Sequence, residues 1–98
     1  MLILYTTFDD RQEAYDIAQN LIEKRLAACV QVSKIKTFYR WENKLEKQKE
    51  YMLTCKLDSK RLKKITKYIR KNHSYDLPEL VVIKPKYVDK KYKRWLKN

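Results

Sequence analysis

Glycine is absent from this 98-residue sequence, and its absence excludes several kinds of site. Phosphate-binding loops of the P-loop and dinucleotide-binding types need glycine where the backbone approaches the phosphates. The nucleophile elbow of serine hydrolases needs glycine at the sharp turn between a strand and a helix. Every turn in this chain must instead rely on Asn, Asp, Ser, Pro or Lys.

Cysteine and histidine are also scarce, with two cysteines and one histidine. Cys29 and Cys55 lie on strand patterns and do not share a metal-binding spacing such as CxxC. We expect them to be small buried hydrophobic groups, in preference to a disulfide or a site. The apolar neighbours of Cys29 would raise the pKa of its thiol and leave it unactivated. Catalysis therefore has little support, and we predict that the protein is not an enzyme.

Long apolar segments are missing as well. No run approaches the roughly 18 residues expected of a membrane-crossing helix, and no signal-peptide pattern is present. No repeat, linker or low-complexity segment divides the chain. We therefore expect a soluble, cytoplasmic protein without a membrane partner, folded as a single domain over residues 1–98.

Positive charge dominates the residues that are present, and the formal net charge is +12. Residues 31–98 carry 21 basic and seven acidic residues, whereas residues 1–30 carry three and five. A predicted helix over 59–71 is basic at most of its positions, which suggests an alternative function as a nucleic-acid-binding module. No RNP1-like string supports that function, and a solvated lysine face is the simpler interpretation. Any nucleic-acid binding should then be non-specific and lost between about 50 and 200 mM salt.

The stretch from 28 to 57 predicts two long strands joined at Glu42-Asn43-Lys44. Asn43 is the expected turn residue, because Asn tolerates positive φ better than other non-glycine residues. Apolar residues occupy even positions up to Val32 and odd positions from Ile35 onward. A regular strand does not exchange its faces, so we predict a bulge near Ser33-Lys34.

This hairpin is too long for the rest of the chain to cover. Its arms of 13 to 15 residues would span roughly 40 to 50 Å at about 3.3 Å per residue. A domain of this size has an expected radius of gyration of about 13 Å. We therefore expect the hairpin to protrude from its own core and to contact another subunit.

The remaining elements follow from hydrophobic periodicity and capping residues. They are a strand over 2–5 buried on both faces, a helix over about 10–26, the basic helix over 59–71, a buried strand over 80–83, and a short helix after Asp89 with Tyr92, Trp95 and Leu96 facing inward. The order predicts an α+β protein of the ferredoxin-like type. Its βαββαβ antiparallel sheet would carry both main helices on one face.

Four blocks of sequence resemble the CutA family of divalent-cation tolerance proteins, and their mutual spacing agrees with that family. The blocks are Arg25–Val30, Phe38–Glu46, His73–Glu79 and Tyr92–Leu96. The resemblance implies a ferredoxin-like subunit that forms a homotrimer through its long hairpin strands. It also implies a role in the response to divalent metal ions, copper among them.

The chain departs from the family pattern where metal binding is concerned. Tyr5 stands at the position of a cysteine, and Asn72 at the position of a second histidine, in the members linked to copper. His73 is the remaining residue of that set, with Asp76 and Glu79 as further oxygen donors. A strong transition-metal site needs more nitrogen or sulfur donors than this. We therefore expect no required cofactor and only weak binding of a divalent ion.

The resemblance also implies a set of polar and aromatic residues around a cleft between subunits. The set consists of Tyr39, Trp41, Lys56, Tyr75 and Glu79. One interpretation is interface packing together with a buried ion pair between Lys56 and an acid. The other is an intersubunit pocket for a small anionic or metal-bound ligand. The sequence supports both interpretations about equally.

Overall fold

The computed structural model describes residues 1–97. In chain order its elements are β1 (Leu2–Phe8), α1 (Arg11–Glu23), β2 (Cys29–Trp41), β3 (Lys44–Leu57), a 3₁₀ turn (Ser59–Arg61), α2 (Leu62–Asn72), β4 (Val81–Ile83) and α3 (Lys90–Leu96). The strands form one sheet in the order β2-β3-β1-β4, and each neighbouring pair is antiparallel. This arrangement confirms the predicted ferredoxin-like α+β fold.

One face of the sheet carries the hydrophobic core. Leu4 of β1 pairs with Cys55 of β3, and both are fully buried on the side covered by α1 and α2. The helices contribute the apolar residues that follow their helical period, which are Ala14, Ile17, Leu21, Ile65 and Ile69. Both cysteines are free, and burial of Cys55 raises the pKa of its thiol to about 12. Cys55 is therefore the buried, unreactive group that the sequence predicts, whereas Cys29 is only partly buried.

The first helix is shorter than its sequence pattern predicts. The Asp10 carboxylate accepts a hydrogen bond from the Glu13 amide at 2.8 Å and caps the start of α1. The helix ends at Glu23 and not at 26, because Arg25 adopts a left-handed conformation with φ of 58°. The Leu26 amide then bonds back to the Leu21 carbonyl at 2.9 Å. This is a helix end of the Schellman type, with Arg25 where glycine is usual.

The long hairpin is regular throughout, and the predicted bulge near Ser33-Lys34 is wrong. The register between β2 and β3 runs without interruption from the pair Cys29 and Lys56 to the pair Trp41 and Lys44. The apolar residues of β2 change faces because the ribbon leaves the helices behind, so its distal part has no single buried face. Glu42 and Asn43 form the two-residue turn, with φ of 51° and 64°. Two successive positive φ values match the type I′ turn.

The outer part of the hairpin projects beyond the rest of the sheet. Strand β1 pairs with β3 only from Leu57 back to Tyr51, where it meets Phe8. Residues 44–50 of β3 therefore have β2 as their only partner strand in the described chain. The protruding hairpin predicted from the sequence is confirmed, and the molecule is elongated, 45 × 27 × 22 Å.

Within residues 1–97 neither α1 nor α2 covers the second face of the sheet, and three burial predictions are wrong. In β1, Leu4 is fully buried, whereas Ile3 and Tyr5 on the other face remain partly exposed. In β4, an edge strand, Val81 and Ile83 are 47% and 43% exposed. In α3, Leu96 is buried but Trp95 is 53% exposed. The exposure of residues in β1 and β4 follows from the uncovered sheet face. A sequence pattern shows which residues are apolar but does not show which elements pack over them.

Candidate ligand site beside the hairpin

The segment from His73 to Glu79 is fastened across one end of the sheet. The His73 ring stacks on the Phe8 ring, with 4.1 Å between centroids and 10° between planes. The next residue, Ser74, donates from its amide and its hydroxyl to the Glu13 carboxylate at 3.0 and 2.7 Å. These contacts tie the segment to β1 and to the first turn of α1, which places Tyr75 beside the hairpin.

A chain of hydrogen bonds joins this segment to the hairpin. The Tyr39 hydroxyl donates to Gln48 Oε1 at 3.0 Å, and Gln48 Nε2 donates to the Tyr75 hydroxyl at 2.9 Å. The Tyr75 hydroxyl in turn donates to Glu50 Oε2 at 2.8 Å. Glu50 is only 5% exposed, so its carboxylate is a buried acceptor at the end of the chain.

The environment keeps the Tyr75 hydroxyl protonated. Burial is the main cause that raises the pKa of Tyr75, followed by the hydrogen bond to Glu50 and the negative charges of Glu50 and Asp9. The hydrogen bond from Gln48 acts in the opposite direction. Tyr75 is therefore a neutral donor beside a carboxylate, and the cluster can orient a polar ligand but has no nucleophile.

His73 is held as a neutral ring. Its Nδ1 accepts a hydrogen bond from the Tyr75 amide at 3.0 Å, so the proton of the neutral ring lies on Nε2. Nε2 is buried and makes no hydrogen bond within residues 1–97. Burial lowers the pKa of His73, against weaker opposing effects of the Thr7 backbone and of the carboxylates of Glu13, Asp9 and Glu50.

This geometry does not fit a strong copper or zinc site. A metal-binding imidazole nitrogen must offer a lone pair, and in His73 that of Nδ1 already accepts the Tyr75 amide. Asp76 and Glu79 are exposed and lie outside the hydrogen-bonded chain. Across residues 1–97, no three His, Cys, Asp or Glu side chains converge into a group that could hold a metal ion.

A single chain brings together only part of the predicted cleft. Tyr39 and Tyr75 are joined through Gln48, and Trp41 lies 53% exposed near the hairpin tip, on the same face as Tyr39. Lys56 lies eight residues along β3 from Gln48, which is roughly 27 Å of extended strand. Its Nζ lies 5.6 Å from the centre of the Tyr92 ring, so its contact here is an aromatic ring in place of the expected acid.

Four further residues of the site do not stand out in the sequence: Gln48, Glu50, Phe8 and Glu13. Alternation along β3 does place Gln48 and Glu50 on one face with Thr54 and Lys56, so that signal was available. The partners of Phe8 and Glu13 lie more than 60 residues away in the chain, at His73 and Ser74. No local pattern reports such contacts.

The fold belongs to the ferredoxin-like α+β class. Comparison with known proteins identifies the family within it. The family model described as "CutA1 divalent ion tolerance protein" matches residues 2–98. The chain therefore belongs to the CutA1 family, as its four sequence blocks predict. The names of the family and of its relatives refer to divalent-ion tolerance.

Curated relatives agree with this assignment. The divalent-cation tolerance protein CutA of Thermotoga maritima is 31% identical over 98 residues, covering all of this chain and 97% of the relative. The chloroplastic protein CutA of Arabidopsis thaliana is 33% identical over 98 residues, covering 99% of this chain. This chain spans about half of the plant relative, 54% of its length.

Solved structures show the same architecture. A crystal structure of CutA from Pyrococcus horikoshii, determined in 3 M guanidine hydrochloride, has a TM-score of 0.93 at 33% identity and covers 98% of this chain and 95% of that one. CutA1 from Oryza sativa has a TM-score of 0.90 at 31% identity, with 97% of this chain and 88% of that one covered.

Membership of this family does not favour the alternative of a nucleic-acid-binding module at helix 59–71. No helix within residues 1–97 has both the length and the apolar character to cross a membrane.

Proposed function

We propose that this chain forms a cytoplasmic homotrimer that acts in divalent-cation tolerance, without enzymatic activity. The observation that supports assembly is the protruding hairpin, whose tip exposes apolar side chains on both faces. Phe38 and Leu45, on one face, are 59% and 69% exposed, and Trp41, on the other, is 53% exposed. An isolated two-stranded ribbon is marginally stable in water, so a ribbon of this kind needs a partner.

The surfaces available for assembly extend beyond the hairpin. The sheet face that α1 and α2 leave uncovered exposes Val81 and Ile83, and β2 and β4 are the edge strands of the sheet. A neighbouring copy that covers this face and pairs with an edge strand would bury apolar area and satisfy open backbone groups. Contacts between two different surfaces of identical subunits produce a closed ring when the rotation from one subunit to the next is a whole fraction of a turn. In the proposed trimer, three copies complete the ring.

Assembly would also complete the ligand cleft. Within one chain the Tyr39, Gln48, Tyr75 and Glu50 cluster lies far from the cationic Lys56. A ring of three subunits can bring Lys56 and Glu79 of one copy to the tyrosines of the next. A cleft that contains one lysine, tyrosine hydroxyls and the Trp41 ring suits a small anionic ligand or the organic complex of a metal.

Direct metal binding is proposed to be weak. Tyr5 and Asn72 do not supply the soft thiolate and imidazole donors, and the Nδ1 lone pair of His73 is engaged by the Tyr75 amide. Exposed carboxylates such as Asp76 and Glu79 then offer oxygen donors of low affinity for copper or other divalent ions. No cofactor is required for the fold or for assembly.

Sedimentation equilibrium at micromolar protein tests the trimer on which the proposed function depends. We expect the mass of a trimer for the wild-type chain and dissociation in Phe38→Lys/Leu45→Lys, which charges the ribbon. Tyr15→Lys is the matched control, since Tyr15 is a 48% exposed aromatic residue on α1, outside the ribbon and the open sheet face. A folded wild-type monomer at this concentration would contradict the proposal.

A further inference from the structure

A cavity lies at the opposite end of the sheet from the His73–Glu79 segment, with a volume of about 680 Å³. Three separate parts of the chain form it: the end of α1 with the loop after it, the turn before α2, and the end of α3. The Ala28 amide, which donates to the Lys56 carbonyl at 2.9 Å, marks this end of the sheet. None of the residues in the proposed intersubunit cleft lines this cavity.

The charged residues that line this cavity carry a net positive charge. Four cationic side chains and two carboxylates contribute to it: Arg25, Lys60, Arg61, Lys97, Glu23 and Asp58. The Asp58 carboxylate already accepts the Lys60 amide at 3.2 Å as the cap of the following turn. Guanidinium groups offer paired donors that match the oxygens of a phosphate, so Arg25 and Arg61 suit a phosphorylated ligand.

An exposed indole completes the cavity. Trp95 lines it and is 53% exposed, although its neighbour Leu96 is buried. One side of the indole is stacked on the Tyr92 ring, with 5.6 Å between centroids and 27° between planes. The Lys56 ammonium lies 5.6 Å from the centre of the Tyr92 ring. The aromatic surface that remains open on Trp95 is therefore available to a flat ring of a ligand in the cavity.

We propose that this cavity binds a nucleoside phosphate, with Arg25 and Arg61 on the phosphates and the base stacked on Trp95. The combination of paired guanidinium donors and an aromatic surface matches both halves of such a ligand. The volume lies within the usual range of about 300–1,000 Å³ for small-ligand pockets. The cavity and the cleft beside the hairpin have no lining residue in common, although Lys56 of the cleft contacts the Tyr92 ring that stacks on Trp95.

Isothermal titration of the full chain with ATP and with inorganic pyrophosphate tests this site. We expect ATP to bind at one site per chain, and pyrophosphate to bind about tenfold more weakly because it has no base to stack. Arg61→Ala should weaken ATP binding at least about tenfold, because a charged hydrogen-bond donor is removed. Arg70→Ala is the matched control, since it removes the same charge from an exposed position on α2 outside the cavity. It should change the affinity less than about twofold.

Trp95→Leu separates stacking from charge. We expect this variant to lose the preference for ATP over pyrophosphate while its affinity for pyrophosphate stays unchanged. Circular dichroism of each variant checks that the fold is retained. The proposal is overturned if ATP produces no binding heat at millimolar concentration. It is also overturned if Arg61→Ala and Arg70→Ala weaken binding equally, or if wild-type protein binds pyrophosphate as tightly as ATP.

Discussion

The Tyr75 hydroxyl donates a hydrogen bond to Glu50 Oε2 at 2.8 Å, although the two residues lie 25 positions apart in the chain. This contact links the segment across the end of the sheet to the base of the protruding hairpin. Glu50 is 5% exposed, and a buried carboxyl group depends on its hydrogen-bond partners. The ordering of the His73–Glu79 segment and the burial of this carboxyl group are therefore coupled.

Removal of that donor should destabilise the protein. We expect Tyr75→Phe to lower the free energy of unfolding by about 1–3 kcal/mol, because it leaves a buried acceptor without its partner. Denaturant unfolding at a fixed protein concentration measures this loss. Tyr87→Phe, at a residue that is 80% exposed, is the matched control and should have almost no effect. Equal stabilities of the two variants would show that the Tyr75 hydroxyl contributes nothing to the fold.

His73 should make the stability depend on pH in the acidic range. Its pKa is lowered in the folded protein and is about 6.5 when unfolded, so the unfolded chain binds more protons between the two values. Stability is then fully present above about pH 6.5 and falls as the pH drops below it. The groups that face the ring, Glu13, Asp9, Glu50 and Tyr75, are retained in His73→Gln. Unfolding measured between pH 5 and 7 should show a shallower slope for His73→Gln, and identical slopes would contradict the prediction.

The hairpin turn carries strain that a single substitution should relieve. Glu42 adopts φ of 51°, in the left-handed region. Unlike Asn, Glu is not among the residues that favour this region. We expect Glu42→Gly to stabilise the protein by about 1 kcal/mol, because glycine avoids the steric cost of positive φ. Glu46→Gly, within β3, is the control and should destabilise by roughly 0.5–1 kcal/mol. Thermal unfolding that shows Glu42→Gly to be the less stable of the two would contradict this assignment of strain.

Much of the fold follows from local sequence signals. The capping of α1 by Asp10, the position of the hairpin turn at Asn43 and the helical spacing of Ile65 and Ile69 each use residues close together in the chain. Predictions failed where the outcome depends on a neighbouring layer. The apolar residues of β2 change faces without a bulge, and Val81 is exposed, because the helices cover only part of one sheet face.

The candidate site was harder to predict than the fold for the same physical reason. The family resemblance identifies Tyr39 and Tyr75. Gln48, which connects them, and Glu50, which accepts from Tyr75, become site residues only because the His73–Glu79 segment crosses the end of the sheet. Similarly, the amide that occupies Nδ1 of His73 belongs to Tyr75, two residues on, and depends on the backbone conformation between them. Residue type alone presents His73 as an available ligand, and the geometry does not.

Metal titration tests whether His73 is available as a metal ligand in the folded protein. We expect Cu²⁺ and Zn²⁺ to bind the wild-type chain weakly, with dissociation constants above about 1 μM, because residues 1–97 of one chain do not bring together three well-placed nitrogen or sulfur donors. We also expect His73→Ala to bind as weakly as the wild type. In the folded protein a metal at His73 Nδ1 must displace the Tyr75 amide, and one at Nε2 must displace the proton held there.

Isothermal titration of the wild type and His73→Ala under the same conditions decides between a histidine site and a carboxylate site. Asp76→Asn/Glu79→Gln is the companion variant, since it removes two exposed carboxylates and keeps His73. If weak binding comes from oxygen donors, this variant should lose affinity while His73→Ala does not. A nanomolar, stoichiometric site that disappears in His73→Ala would contradict the prediction. It would mean that the assembled protein frees His73 from the Tyr75 amide and adds donors from neighbouring copies, since one chain supplies too few.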